Sequence, residues 1–428
     1  MPRMLLIFLS FFFAAGAWAA VEDYAYPYAD PLVATVLGTP KADQAAVSRD
    51  IPRKEKKIVI FPDRKLPDAV AVRSFQYAIT AQDKAAPLVF VIAGTGSSHK
   101  SAKVRQMEAA LYGAGFHVIS LASPTYTNFI QTASSTRMPG RTSVDAADLY
   151  QVMDKIWEAN KAKVEVTDFH VTGYSLGGAN AAFVAKLDEE KKRFNFKKVL
   201  MINPPVNLYH SVGILDRMLT KNVPGPAAPD FNTFFDKLMK RFSEVYSQDD
   251  ELKFNDEFLY RIYEKNLEEG RTAKPEVLEA LIGISFRLSS ANMATIADFA
   301  TQRGWIVPKG HKFSRTESTT PYYKVATRTS FVDYFDELYV PFYRELEPAS
   351  SRDSLIRESS LESIEPYLRG ADKIGVMHNA DDIILAPGEI EFFRQVFGNR
   401  AKIYPRGGHC GNMAYRDNVT YLVDYFKK

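Results

Sequence analysis

The feature that most limits how this chain can fold is an alternation of strand-like and helix-like segments that stops and later resumes. From Lys57 onward, KIVIFPD and VAVRSFQYAI read as paired strands, and PLVFVIAG, FHVISLAS, DFHVTGYS and KKVLMINPP as four further short β-prone runs. Between the last four lie KVRQMEAALYGAG, VDAADLYQVMDKIWEAN and GGANAAFVAKLDEEKK, whose apolar residues recur at helical spacing. Strands joined through helices need crossover connections, so the expected fold class is α/β, with a mostly parallel central sheet flanked by helices.

At about residue 206 the alternation stops, and it returns at about residue 372. The stretch between is helical in character: Phe231, Phe234, Phe235, Leu238, Phe242 and Tyr246 keep a 3.6-residue period, as do VLEALIGISFRL and FVDYFDELYVPFY. Then ADKIGVMHN reads as a strand, GEIEFFRQVFG as a helix, AKIYPRGG as a strand and NVTYLVDYFKK as a closing helix. Two consecutive domains would leave those last two strands without a sheet. The order instead predicts one core in two parts, 57–205 and 372–428, with a large helical lid, 206–371, inserted after the sixth strand. Residues 20–56, rich in Pro, Tyr and Ala without a sustained period, are expected to form an extended arm.

The first residues, MPRMLLIFLSFFFAAGAWAA, join Arg3 to an apolar run of about a dozen residues and then to Ala17-Trp18-Ala19. This is the pattern of a signal peptide, 1–19, cleaved near Ala19, and the run is shorter than the roughly 20 residues a spanning helix needs. The mature chain is therefore expected to be exported, periplasmic or secreted, with an uncleaved anchor as the lesser alternative. Acids and bases are interspersed and the net charge is only +3, which gives no basic stripe for a phosphate backbone, so nucleic acid is not an expected partner. Cys410 is the only cysteine, which leaves no internal disulfide and is read as a small buried residue. No metal-ligand spacing such as HExxH or paired CxxC occurs, and no cofactor is expected.

Residues 171–180, VTGYSLGGAN, place Ser175 where a strand turns into a helix, with Gly173 two residues before and Gly177 two after. A serine held in so tight a turn needs small neighbours at those two places, which makes them elbow glycines. With the alternating pattern, this motif resembles the α/β-hydrolase fold over roughly residues 57–428, and SLGGAN, NPPVNL, NADD and GGHCGN together resemble a serine esterase and lipase-like branch of it. The resemblance implies the chain order nucleophile, acid, histidine. Ser175 is then the nucleophile. In HNADDIIL the implied acid is Asp382, with Asp381 as the alternative acid; the carboxylate not used is read as a cap for the helix that starts near Pro387.

Seven histidines are present, and elimination favours one. His117 and His170 are expected at the beginnings of strands, His378 at a strand end, His311 in the insertion, and His99 and His210 after the third and sixth strands. Only His409, in YPRGGHCGN, follows the acid in a glycine-flanked loop. The oxyanion hole needs two N–H donors. Leu176 supplies the first by its place after the nucleophile, and Thr95, in IAGTGSSHK, is expected to supply the second, with Gly96 in reserve. The family's usual histidine-glycine pair is here Ala93-Gly94. That loop lacks both a Walker spacing and a GxGxxG register, so phosphate binding is not favoured.

The implied activity is hydrolysis of carboxylic esters through an acyl-enzyme, with a small-molecule or lipid ester as substrate and no metal. The insertion's Phe and Tyr residues have two uses open to them: lining an apolar acyl pocket, with peripheral contact to membrane lipids, or building the insertion's own core. Two alternatives stand beside this reading. One is an exopeptidase of the same fold, for which Glu268 and Glu269 would be amine-binding acids; the other is a non-catalytic envelope binding protein on the same scaffold. Oligomeric state is not legible.

Overall fold

Among the described residues, eight strands form a single sheet in the order β1-β2-β4-β3-β5-β6-β7-β8. They are β1 (Lys54–Ile58), β2 (Phe75–Thr80), β3 (Ala86–Ile92), β4 (His117–Leu121), β5 (Val166–Tyr174), β6 (Lys198–Ile202), β7 (Ile374–Asn379) and β8 (Ala401–Tyr404). The computed structural model describes residues 24–428 except 68, 69, 71, 223–273 and 315–316. The expected signal peptide, the periodic run around Phe231 and Tyr246, and Glu268 and Glu269 lie outside the described residues.

β1 and β2 pair antiparallel, as do β2 and β4, and every other neighbouring pair is parallel. The sequence explains the difference between edge and centre. β3 reads APLVFVI and is buried almost throughout, as a parallel strand covered on both faces must be. β1 reads KEKKI and is half exposed, its charges discouraging a further strand from pairing there.

Helices cover both faces. On one side α2 (Ala102–Gly113) and the closing helix Arg416–Lys427 bring Val104, Met107, Leu111, Leu422 and Phe426 against the sheet. On the other, α4 (Thr142–Asn160), α5 (Leu176–Lys191) and the helix Glu389–Phe397 bury Leu149, Met153, Val184 and Phe393; a short helix, α3 (Thr127–Thr132), precedes α4.

Between β6 and β7 the described residues form helices joined by loops, beginning with α6 (Leu208–Asn222) and α7 (Pro275–Thr301). These two touch closely at Gly283, where a Cβ would lie 2.5 Å from the Leu219 nitrogen. Tyr334, Phe335, Tyr339 and Tyr343 pack with Met138 and Leu176 into a second core. Two of the hydroxyls are used internally, Tyr334 donating to the Pro139 carbonyl and Tyr343 to that of Met138. Of the two uses open to the aromatic residues, these four serve as core. No helix among the described residues is long and apolar enough to cross a membrane.

The arm departs from expectation. Residues 20–56 were expected to be extended, yet Pro31–Leu37 form a helix, α1, and β1 begins at Lys54. Seven residues are too few to display a period, and so short a helix relies on tertiary packing. Its signals are at its ends: the Asp30 carboxylate accepts from the Leu32 and Val33 amides, Pro31 occupies the first helical position, and Gly38 follows with φ 68°. Ala34 and Val36 are buried.

Candidate active site

The parallel strands all point their C-terminal ends to one rim, and the loops leaving β3, β5, β6, β7 and β8 meet there, as ligand-binding loops of such sheets do. Ser175 lies between β5 and α5 with φ 54° and ψ −129°, a backbone state that costs on the order of 1–3 kcal/mol. The glycines around it leave no room for side chains. A Cβ on Gly173 would sit 2.3 Å from the Gly177 carbonyl oxygen, and one on Gly177 would sit 2.3 Å from that of Ile92. The Ser175 amide donates to the Ile202 carbonyl at 2.8 Å, which ties the turn to the end of β6.

From the loop after β8, His409 reaches the serine: its Nε2 is 3.0 Å from Ser175 Oγ. Its Nδ1 lies 3.1 Å from each carboxylate oxygen of Asp382. An ionised carboxylate only accepts, so Nδ1 carries the proton and Nε2 is left as the acceptor facing the hydroxyl. Asp382 is buried, and its other partners are the Asn203 side-chain amide at 2.9 Å and the Ile384 amide at 3.1 Å. Burial by itself would lower the His409 pKa, but the Asp382 charge and hydrogen bond outweigh it and hold the imidazole well above its ordinary 6.5. Burial alone would likewise raise Asp382, and the facing imidazole brings it below 3.8 instead.

Asp381, the alternative acid, turns the other way and accepts from the amides of Gly407 at 3.1 Å and Gly408 at 2.9 Å. Its expected role as a helix cap is corrected: the following helix starts at Glu389 with Gly388 at its cap position, and Asp381 holds the histidine loop instead. Burial raises its pKa despite these two amides.

Of the oxyanion candidates, Gly96 donates its amide to Thr125 Oγ1 at 2.8 Å and is spent. Leu176 and Thr95 flank one small cavity, and among the described residues neither amide has a backbone acceptor. That cavity is about 20 Å³, room for roughly one water, and Leu208, Val212, Phe286, Met293 and Phe331 make its wall almost wholly apolar.

The other histidines are occupied elsewhere. His117 opens β4 and is bonded to the Glu165 carbonyl. His170 sits midway along β5, not at its start, because the strand begins at Val166; burial lowers its pKa to about 4. His210 meets Glu389 and His311 meets Glu317. His378 is fully buried under Asp382, with Nε2 on the Pro204 carbonyl and Nδ1 accepting the Asn379 amide, the pattern of a neutral ring. His99 is buried in the loop after β3. Cys410 is buried next to His409. No cluster of three or more His, Cys, Asp or Glu among the described residues is placed to hold a metal.

Three residues at the site were not singled out from sequence. Asn203, at φ 45°, fixes Asp382. Asn379 donates to the Gly408 carbonyl at 2.8 Å, and Asn412 pairs with it. Their signal was already present in NPP, NADD and GGHCGN, whose asparagines follow strand ends or close the glycine loop.

The strand order, the strained serine after β5 and the converging loops after β7 and β8 decide the architecture. The fold is that of the α/β hydrolases. No protein-family model matches the chain, and no curated protein matches it in sequence. Among solved structures, the chain is similar to a hyperthermophilic esterase from the archaeon Pyrobaculum calidifontis, at 12% identity and TM-score 0.41, over 89% of this chain and 86% of that one. It is similar also to brefeldin A esterase, a bacterial homologue of human hormone-sensitive lipase, at 13% and 0.41 over 92% and 85%. A third is the thioesterase domain of the curacin biosynthetic pathway, at 11% and 0.38 over 88% and 99%. Leu176, beside the elbow, shares an apolar core with residues of the insertion after β6.

Proposed function

We propose that the chain is an exported serine hydrolase that cleaves carboxylic esters. The observation that carries this reading is the unbroken relay from Ser175 Oγ through the His409 ring to Asp382, with contacts of 3.0 and 3.1 Å. His409 Nε2 takes the hydroxyl proton as Ser175 attacks the acyl carbon, and Asp382 stabilises the imidazolium that forms. The Leu176 and Thr95 amides receive the developing oxyanion, each donor lowering the barrier by about 2.7–4 kcal/mol. His409 then protonates the leaving alcohol, and water, activated by the same ring, releases the acyl group.

The apolar cavity beside those amides supports an uncharged, small acyl group. Export rests on the signal-like first 19 residues. A fluorophosphonate probe tests the mechanism: it labels the wild type and leaves Ser175→Ala unlabelled, whereas equal labelling of both would place the nucleophile elsewhere. Comparing p-nitrophenyl esters of increasing chain length with aminoacyl p-nitroanilides tests the substrate class. Turnover of the anilides alone would replace the esterase reading with a peptidase one.

A further inference from the structure

The loop that carries His409 is held from outside by a part of the chain nearly four hundred residues away. We propose that the N-terminal arm, residues 24–39, is a working part of the catalytic site, and that Thr35 in α1 is a positioning residue for His409. This rests on the serine-hydrolase reading above.

Thr35 Oγ1 donates its single proton to the Pro31 carbonyl at 2.6 Å, which leaves its lone pairs for the His409 amide at 2.8 Å. The two preceding amides, of Gly407 and Gly408, go to Asp381. Three successive N–H groups of the loop are thus gripped by acceptors that the loop itself does not supply. Contact with the arm is as close as backbone allows. A Cβ on Gly408 would lie 2.2 Å from the Pro31 oxygen, and one on Gly411 would lie 2.1 Å from that of Ala34. Part of the glycine content of GGHCG is therefore a requirement of the arm.

The arm is itself anchored on both sides. Thr39 Oγ1 donates to the Gly411 carbonyl at 3.0 Å, Arg406 donates to the Tyr24 carbonyl at 2.8 Å, and Asn412 donates to the Tyr24 hydroxyl at 2.7 Å. The Tyr24 and Tyr26 rings meet the edge of Tyr415. In the other direction Val36 packs with Leu219, Leu281 and Leu288 of α6 and α7. A loop with glycines at 407, 408 and 411 has many backbone states open to it, and the arm selects the one that sets Nε2 at 3.0 Å from the serine. A misplacement of about 1 Å at such a contact costs up to about a hundred-fold in rate.

Thr35→Val keeps the volume and deletes the acceptor. The expected result in the full-length protein is a kcat about ten- to a hundred-fold lower, with KM within about two-fold and a thermal midpoint close to wild type. Thr35→Ser, which retains the hydroxyl, is expected to restore kcat to within about three-fold. A second readout needs no turnover: in protein labelled with 13C at histidine Cε1, the His409 resonance, assigned by its loss in His409→Ala, titrates well above the ordinary imidazole value in wild type. It moves down toward that value in Thr35→Val as the ring loses its alignment with Asp382. Wild-type kcat together with an unmoved His409 titration in Thr35→Val would overturn the proposal, as would equal losses in the Ser and Val variants accompanied by a fallen thermal midpoint. A wild type that cleaves no ester and takes no fluorophosphonate would overturn the serine-hydrolase reading; the histidine titration would still decide whether Thr35 positions the ring.

Discussion

The two turns that meet at the site are built in opposite ways. The elbow around Ser175 is local: Gly173 and Gly177 are four residues apart and clash with each other or with β3 if given side chains, and the strained serine is locked between β5 and α5. The histidine loop has glycines too, but its shape comes from Asp381, Asn379 and the arm, and the contact from Thr35 to His409 spans 374 residues. A site can thus be rigid through one turn that the sheet fixes by itself and a second that exists only after distant segments have docked. Disturbing the first is expected to damage the fold, and disturbing the second to damage the chemistry.

The sharpest test separates the two adjacent carboxylates. Asp382→Asn removes the acceptor that fixes the tautomer of His409 and is expected to lower kcat by about 10⁴-fold. Asp381→Asn keeps an oxygen for one loop amide and is expected to lower kcat by about ten-fold, since only loop geometry is loosened. Equal effects of the two would mean that the assignment of roles is wrong.

Next in size is a pair of glycine substitutions. Gly177→Ala forces a methyl to 2.3 Å from a buried β3 carbonyl and is expected to destabilise the protein by about 3 kcal/mol or more, read from urea unfolding. Gly411→Ala sets a methyl 2.1 Å from the Ala34 carbonyl oxygen of the arm and 2.7 Å from that of Gly407; because the short arm gives way more readily than a central strand, it is expected to cost less stability than Gly177→Ala while lowering kcat about ten-fold. A global loss of stability in the second would make the arm part of the fold's own foundation.

The pH profile follows from the coupled pair. Neutral His409 is the base and its pKa is raised, so kcat/KM is expected to fall on the acid side with a limb above 6.5, and Asp382→Asn moves that limb down. For stability the signs are opposite at the two ends. The depressed Asp382 contributes stability that is complete above 3.8 and lost as pH falls through its lower folded value. The raised His409 contributes stability that is complete below 6.5 and lost as pH rises through its folded value. Thermal midpoints measured across pH should decline at both ends, and Asp382→Asn should flatten both.

The smallest effect concerns the acyl group. With about 20 Å³ beside the oxyanion amides, p-nitrophenyl acetate is expected to exceed the octanoate in kcat/KM. Met293→Ala is expected to shift that ratio by about ten-fold toward longer chains, the order of one or two methylenes' worth of discrimination.

The alternation of strands and helices, its interruption and the serine between two glycines were legible because each is written in neighbouring residues: periodicity and steric exclusion act over a few positions. The order of serine, acid and histidine is implied by the resemblance that GYSLGG, NADD and GGHCGN carry, and not by periodicity. Asp381 and Asp382 could not be told apart, because successive residues of a loop project in different directions and only the packed structure says which faces the imidazole. The helix in the arm is not legible in the sequence because α1 is shorter than two and a half turns, and Asp30-Pro31 at its start with Gly38 at its end signals where a helix fits without saying what it touches. Local sequence therefore determined the sheet, the elbow and the cast of side chains. Tertiary structure alone decided which carboxylate serves the ring and that the N-terminal arm braces the last loop, since those contacts exist only when segments far apart in the chain are brought together.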